Sequence, residues 1–188
     1  MNAFSRLGLP RKLVIDPGEL DRVIRGMSKS AHPDAGGEGS DFEEVRKAGE
    51  VLKSPVGRLR LALELAGGNL EARGSVDGQV MDFFTPVAGV LQKVDGFVAE
   101  RSASRSALGK AVLDARIPSL KTEVELLIGG LGALEASLVD RFKQFDEAGW
   151  EGSLLSMAET VRALAFVTKW QAQLRAATGK LFEALLGG

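Results

Sequence analysis

Pro33 stands between two stretches that each repeat apolar residues at helical spacing, and this constrains the fold more than any other feature of the chain. Upstream, Leu20, Val23, Ile24, Met27 and Ala31 share one side of a helix; downstream, Phe42, Val45, Ala48 and Leu52 do the same. A residue preceding proline is pushed out of the helical region, so the first helix ends before His32-Pro33. Ala35, Gly36 and Gly37 are too small to cover the tip. The expected product is a helical hairpin whose loop exposes His32, Pro33 and Asp34.

Local signals sharpen the reading. Asp16-Pro17-Gly18-Glu19 is a helix start, with Asp as cap, Pro at the first position and Glu at the third. Ser54-Pro55 starts another helix, with Leu59, Leu63 and Ala66 on one side, and Gly67-Gly68 ends it. A short helix is expected over residues 3–7. Alternating apolar and polar runs are short, so no strand is expected anywhere.

Residues 69–79 are polar and contain Gly74 and Gly78, which marks a linker. The chain therefore divides into a first domain over 1–68 and a second over 80–188. In the second, Val87, Val90, Leu91, Val94, Phe97 and Val98 make one stripe. The Ser-rich stretch 101–106 interrupts it, Leu108, Ala111, Val112 and Ala115 resume it, and Pro118 breaks the pattern again. Leu120, Val124, Leu127, Leu131, Leu134, Leu138 and Phe145 follow at alternating spacings of three and four, which suits an antiparallel helical seam. Ala148-Gly149 makes a turn, and a last helix runs over about 150–186. Three helices with short connections give a three-helix bundle, so the whole chain is expected to be all-α.

Composition excludes several function classes. The chain has 188 residues, 45 % hydrophobic and 26 % charged, enough to bury a core. A net charge of −1 argues against nucleic acid as an obligate partner. There is no cysteine and a single histidine, so disulfides, thiolate nucleophiles and ordinary zinc sites are excluded. The cysteine-free chain fits a cytoplasmic setting. No apolar stretch approaches the ~20 residues of a membrane span, and no signal peptide is expected at the amino terminus. A nucleophile and its base are not found together, so no enzyme is expected, and no cofactor.

Chemistry concentrates in the hairpin. Asp34 offers a carboxylate at a loop tip, where a guanidinium can take it in bidentate fashion. Arg22, Arg25 and Lys29 recur at three and four residues and share one helix face. A positive strip leading to an acidic tip would steer an acidic partner and orient it. Taken singly, a loop histidine without a role and a solvated basic face are the bland readings.

The order of these features resembles the J domain. Phe4-Ser5-Arg6-Leu7-Gly8-Leu9, the basic helix, His32-Pro33-Asp34, Phe42 through Leu52, then Ser54-Pro55 and Arg58 all fall in sequence. J domains dock on ATP-bound chaperones of the seventy-kilodalton heat-shock class and stimulate their ATP hydrolysis. The resemblance implies that role for His32, Pro33, Asp34, Arg22, Arg25 and Lys29, with Asp34 acting on the chaperone's interdomain linker through an arginine. Gly49 stands where that family usually packs an aromatic residue, which implies a looser domain.

The whole chain is similar to one subfamily, the HscB-type co-chaperones of iron–sulfur cluster assembly. Residues 1–16, the stretch 52–67, and Trp150 with 161–166 and Lys169-Trp170 carry that likeness; residues 87–147 match only in helical character. It implies an HscA- or DnaK-like chaperone as partner and the cluster scaffold protein as client, held at Val80, Met81, Phe84 and Phe166. Phe166 falls off the stripe of Met157, Val161 and Leu164 at ~100° per residue, which independently makes it a candidate contact, with core filling as the other reading. The family follows its apolar motif with glutamates, whereas this chain has Thr85-Pro86-Val87-Ala88-Gly89, and Thr85-Pro86 reads as a new helix start. A J protein with another client, and a helical scaffold with an inactive J-like half, remain alternative readings.

Overall fold

The computed structural model describes residues 1–31, 39–70 and 74–186, and every regular element among them is helical. His32, Pro33 and Asp34, with Gly36-Gly37, lie outside the described residues. In chain order the helices are α1 (Ala3–Arg6), α2 (Pro17–Ala31), α3 (Gly39–Lys53), α4 (Pro55–Leu65), α5 (Gly78–Ala103), α6 (Ala107–Asp114), α7 (Ile117–Ala148) and α8 (Leu154–Leu186), with a 3-10 turn at Glu151–Ser153. They group into two compact units, Met1–Gly74 with Leu138–Arg162, and Ser75–Ser137 with Ala163–Gly188.

In the amino-terminal unit α1, α2 and α4 start where their caps say they should. The Asn2 side chain accepts from the Ser5 amide at 3.0 Å, Asp16 from Glu19 at 2.7 Å, and Ser54 from Gly57 at 3.2 Å. α4 ends in a Schellman turn: Gly68 N–H reaches Leu63 O at 2.9 Å, Gly67 N–H reaches Glu64 O at 3.1 Å, and Gly67 has φ +82°. The core gathers Phe4, Leu7, Leu13, Leu20, Val45, Ala48, Leu52, Leu59 and Leu63, all buried. Gly49 is buried too. A Cβ there would come within 2.9 Å of Ile24 Cδ1. The space expected to stand loose for want of an aromatic side chain is taken by Ile24 instead.

Segment 138–162 completes this unit through one carboxylate. Asp146 accepts the backbone N–H of Leu13 on both oxygens at 2.9 Å, that of Val14 at 3.0 Å, and the indole N–H of Trp150 at 2.9 Å. Arg58 donates to Leu13 O at 2.7 Å and stacks 5.8 Å from the Phe142 ring. Burial pushes the Arg58 guanidinium below its usual range, and the Asp146 charge opposes that shift. Trp150 lies 6.0 Å from Phe4, with Arg11 5.2 Å from its ring on the guanidinium side.

The second unit is built on stripes. Val80, Val87, Val90, Val94 and Phe97 of α5, Leu120, Val124, Leu131 and Leu134 of α7, and Ala163, Leu164, Val167, Leu174, Ala177 and Leu181 of α8 are buried. Two sequence expectations change here. Thr85-Pro86 does not begin a helix: Pro86 sits inside α5. An internal proline costs about 3 kcal/mol, but the buried stripe runs through it from Val80 to Phe97, and each buried Val returns about 1.5–3 kcal/mol. The bundle also carries a fourth, short helix, α6, capped by Ser106 on the Gly109 amide at 3.0 Å. Gly130 makes α5 and α7 fit, since a Cβ there would stand 3.0 Å from the Phe83 ring.

Candidate functional surfaces

The basic strip is on the surface. Arg22, Arg25 and Lys29 of α2 are all exposed, one turn apart along the helix. Arg25 Nε donates to the Asp21 carbonyl at 3.2 Å, which steadies the side chain against its own helix. Asp21, the acid within this strip, is engaged elsewhere: Lys53 of α3 holds it at 2.6 Å. That hydrogen bond, and then the lysine charge, keep the Asp21 carboxyl below the usual carboxylate range. The strip therefore presents its cations with the Asp21 carboxylate already paired.

α3 returns under a matching set of ion pairs. Arg6 reaches Asp41 at 2.6 Å and Glu44 at 3.2 Å, and Arg46 pairs with Glu43 at 2.7 Å and with Glu50. These pairs are exposed, so they fix register more than they add stability.

The second candidate surface lies in the bundle unit. Met81 and Phe84 are exposed, and Phe166 is 36 % exposed. Phe84 and Phe166 both lean on Trp170, with ring centroids 6.3 Å and 5.4 Å away. Trp170 itself is buried. Two aromatic rings on an indole platform, with a methionine beside them in sequence, make an apolar surface that can adapt to a partner side chain. Val80 is not part of it. Val80 has no exposed surface, because it shares the inward face of α5 with Val87 and Val94, seven residues apart. Trp170 was missed as a site residue in the sequence; its signal was the four-residue spacing from Phe166.

Among the described residues no three His, Cys, Asp or Glu side chains converge as a metal site. Nor is any described helix long and apolar enough to cross a membrane.

No protein-family model matches the chain. Two curated relatives carry the name "Co-chaperone protein HscB homolog". The one from Azoarcus sp. (strain BH72) is 28 % identical over 180 residues, covering 91 % of this chain and 90 % of that protein. The one from Chromobacterium violaceum is 28 % identical over 131 residues, covering 65 % of this chain and 73 % of that protein. The structure of the chaperone HscB from Vibrio cholerae superposes with a TM-score of 0.55 at 19 % identity, covering 96 % of this chain and 99 % of that one, so the two share a fold.

Proposed function

We propose that this HscB-like chain is a J-type co-chaperone that stimulates the ATPase of a seventy-kilodalton heat-shock chaperone, HscA- or DnaK-like, and brings it a client, the iron–sulfur cluster scaffold protein. The observation that carries the reading is the exposed cation strip Arg22, Arg25 and Lys29 on the helix that leads into His32-Pro33-Asp34. Asp21, the acid within the strip, is already held by Lys53. In this reading the strip draws in an acidic face of the chaperone, and the Asp34 carboxylate engages an arginine there. The chain turns over no ATP itself, since it has no Gly-rich phosphate loop with a following Lys-Ser or Lys-Thr. It works in the cytoplasm, in keeping with its cysteine-free sequence. The client sits on Met81, Phe84 and Phe166, with Trp170 as their support.

One observation favours a second reading, in which the client is a different protein. Thr85-Pro86-Val87-Ala88-Gly89 follows the apolar pair with no acidic residue. A basic scaffold surface would find no counter-charge in that stretch.

The deciding measurement is steady-state phosphate release by the cognate chaperone. Adding the chain should raise it, and Asp34→Asn should abolish the rise with the circular dichroism spectrum unchanged. Stimulation by Asp34→Asn equal to that of wild type would end the J-type reading. A pull-down of the scaffold on wild-type chain then separates the two clients.

A further inference from the structure

α6 is built inside out. A short helix in a bundle normally turns its apolar stripe to the core. No residue of α6 is buried, and two of its three large apolar residues face solvent, Leu108 76 % and Val112 65 % exposed, while Leu113 is half-buried. Ala111 and Ala115 continue that outer face. Its covered side carries an ion pair beside Leu113. Arg101 of α5, itself almost fully buried, clasps Asp114 at 2.6 Å, and Arg116, just past the helix, reaches Glu100 at 2.7 Å and stacks 5.9 Å from Phe97.

The last turns of α8 lie at the same end of this unit. Arg101 also lines a depression with Val98, Lys180, Glu183 and Ala184, and Lys180 pairs with Asp95 at 2.6 Å. There α8 exposes Phe182 (61 %), Leu186 (72 %) and half of Leu185, at helical spacing on one side. At roughly 150–250 Å² for a whole aromatic side chain and somewhat less for Leu or Val, the five residues expose on the order of 600 Å² of apolar surface. Spread over the α6 and α8 faces, that area supplies most of the roughly 800 Å² per partner of a stable interface.

We infer that this end of the bundle unit, α6 with the last turns of α8, is a surface on which a second copy of the chain docks. The charges select that occupant. Arg105, before α6, and Glu183, on α8, are exposed, and neither has an ion pair among the described residues. In a two-fold interface a residue on one copy meets its counterpart patch on the other, and the converse also holds. Laying α6 of one copy on the α8 end of its partner brings Arg105 to Glu183 twice. An anionic membrane would favour a patch of one sign, and Glu183 would be repelled by it.

Sedimentation velocity over a concentration series tests this on the full chain. Wild type should pass from monomer to dimer as concentration rises. Leu108→Glu with Val112→Glu changes only solvent-facing positions and should raise the dimer dissociation constant by more than tenfold at unchanged helicity. Arg105→Glu and Glu183→Arg should each weaken the dimer severalfold, and the two together should restore it. A chain that stays monomeric at millimolar concentration overturns the inference, and so does a dimer that survives the double glutamate variant. Binding of the monomer to phosphatidylserine vesicles, lost in the double glutamate variant, overturns it in favour of a membrane.

Discussion

The two units hold themselves together differently. The amino-terminal unit uses short capped helices tied by directed polar contacts: Asp146 to Leu13, Val14 and Trp150, Arg58 to Leu13, Arg6 to Asp41, Lys53 to Asp21. The bundle unit relies on long apolar stripes, and its surface carries seven of the large exposed apolar side chains discussed above: Met81, Phe84, Phe166, Leu108, Val112, Phe182 and Leu186. Polar ties fix geometry at a few points and fail one at a time. Stripes spread their stabilisation and tolerate the loss of an exposed member. The same contrast carries into recognition, with charge presented by the first unit and apolar surface by the second.

The comparison breaks most visibly at Asp146. Asp146→Ala leaves the N–H groups of Leu13, Val14 and Trp150 without their acceptor, and bonds to a charged group contribute about 1.5–3 kcal/mol each before any relaxation. A loss of about 3 kcal/mol is expected in denaturant unfolding, with amide exchange at Leu13 and Val14 accelerated while amides of α5 keep their protection. Uniform loss of protection across both units would show that they do not differ in this way.

On the bundle side the expected effect is smaller and falls on binding. Met81→Ala with Phe166→Ala should weaken scaffold binding by more than tenfold, about 1.4 kcal/mol, in calorimetry. The shift in unfolding should come mainly from Phe166, which is 36 % exposed, and little from Met81, which is 55 % exposed. Chaperone stimulation without client should persist. A variant that loses stability instead of affinity would place the patch in the core's service.

Salt sharpens the contrast further. Stimulation through Arg22, Arg25 and Lys29 should fall severalfold between low and physiological ionic strength, as exposed charges are screened over about 8–10 Å. Client binding on the aromatic patch should change little. The smallest effect is in pH. The Asp114 carboxyl is held below its usual range, first by the hydrogen bond from Arg101 and then by its charge. A depressed carboxyl stabilises at pH above its unfolded value and stops doing so as pH falls through its folded one. Amides of α6 should lose protection on acidification before those of α5 and α7.

What could be read from the sequence was local. Asp16-Pro17 and Ser54-Pro55 announce helix starts because cap and amide are three residues apart. Phe166 was legible as exposed because a helix of this length fixes its own phase. Pro86 misled because a start signal is a local preference, and burial of the stripe around it outweighs that preference. Val80 misled because it was placed by likeness to a binding motif, although its spacing from Val87 and Val94 already put it inside. The Asp146 link was beyond reach, since 133 residues separate the carboxylate from the Leu13 amide.

That separation sets a clock. The amino-terminal unit takes 138–162 into its own packing, so that packing is complete only once the ribosome has released residue 162. At synthesis rates of about 5–20 residues per second, the first seventy or so residues wait on the order of 5–20 seconds with Leu13 and its neighbours uncovered. The chain therefore spends its own birth as the kind of incompletely folded polypeptide that chaperones hold.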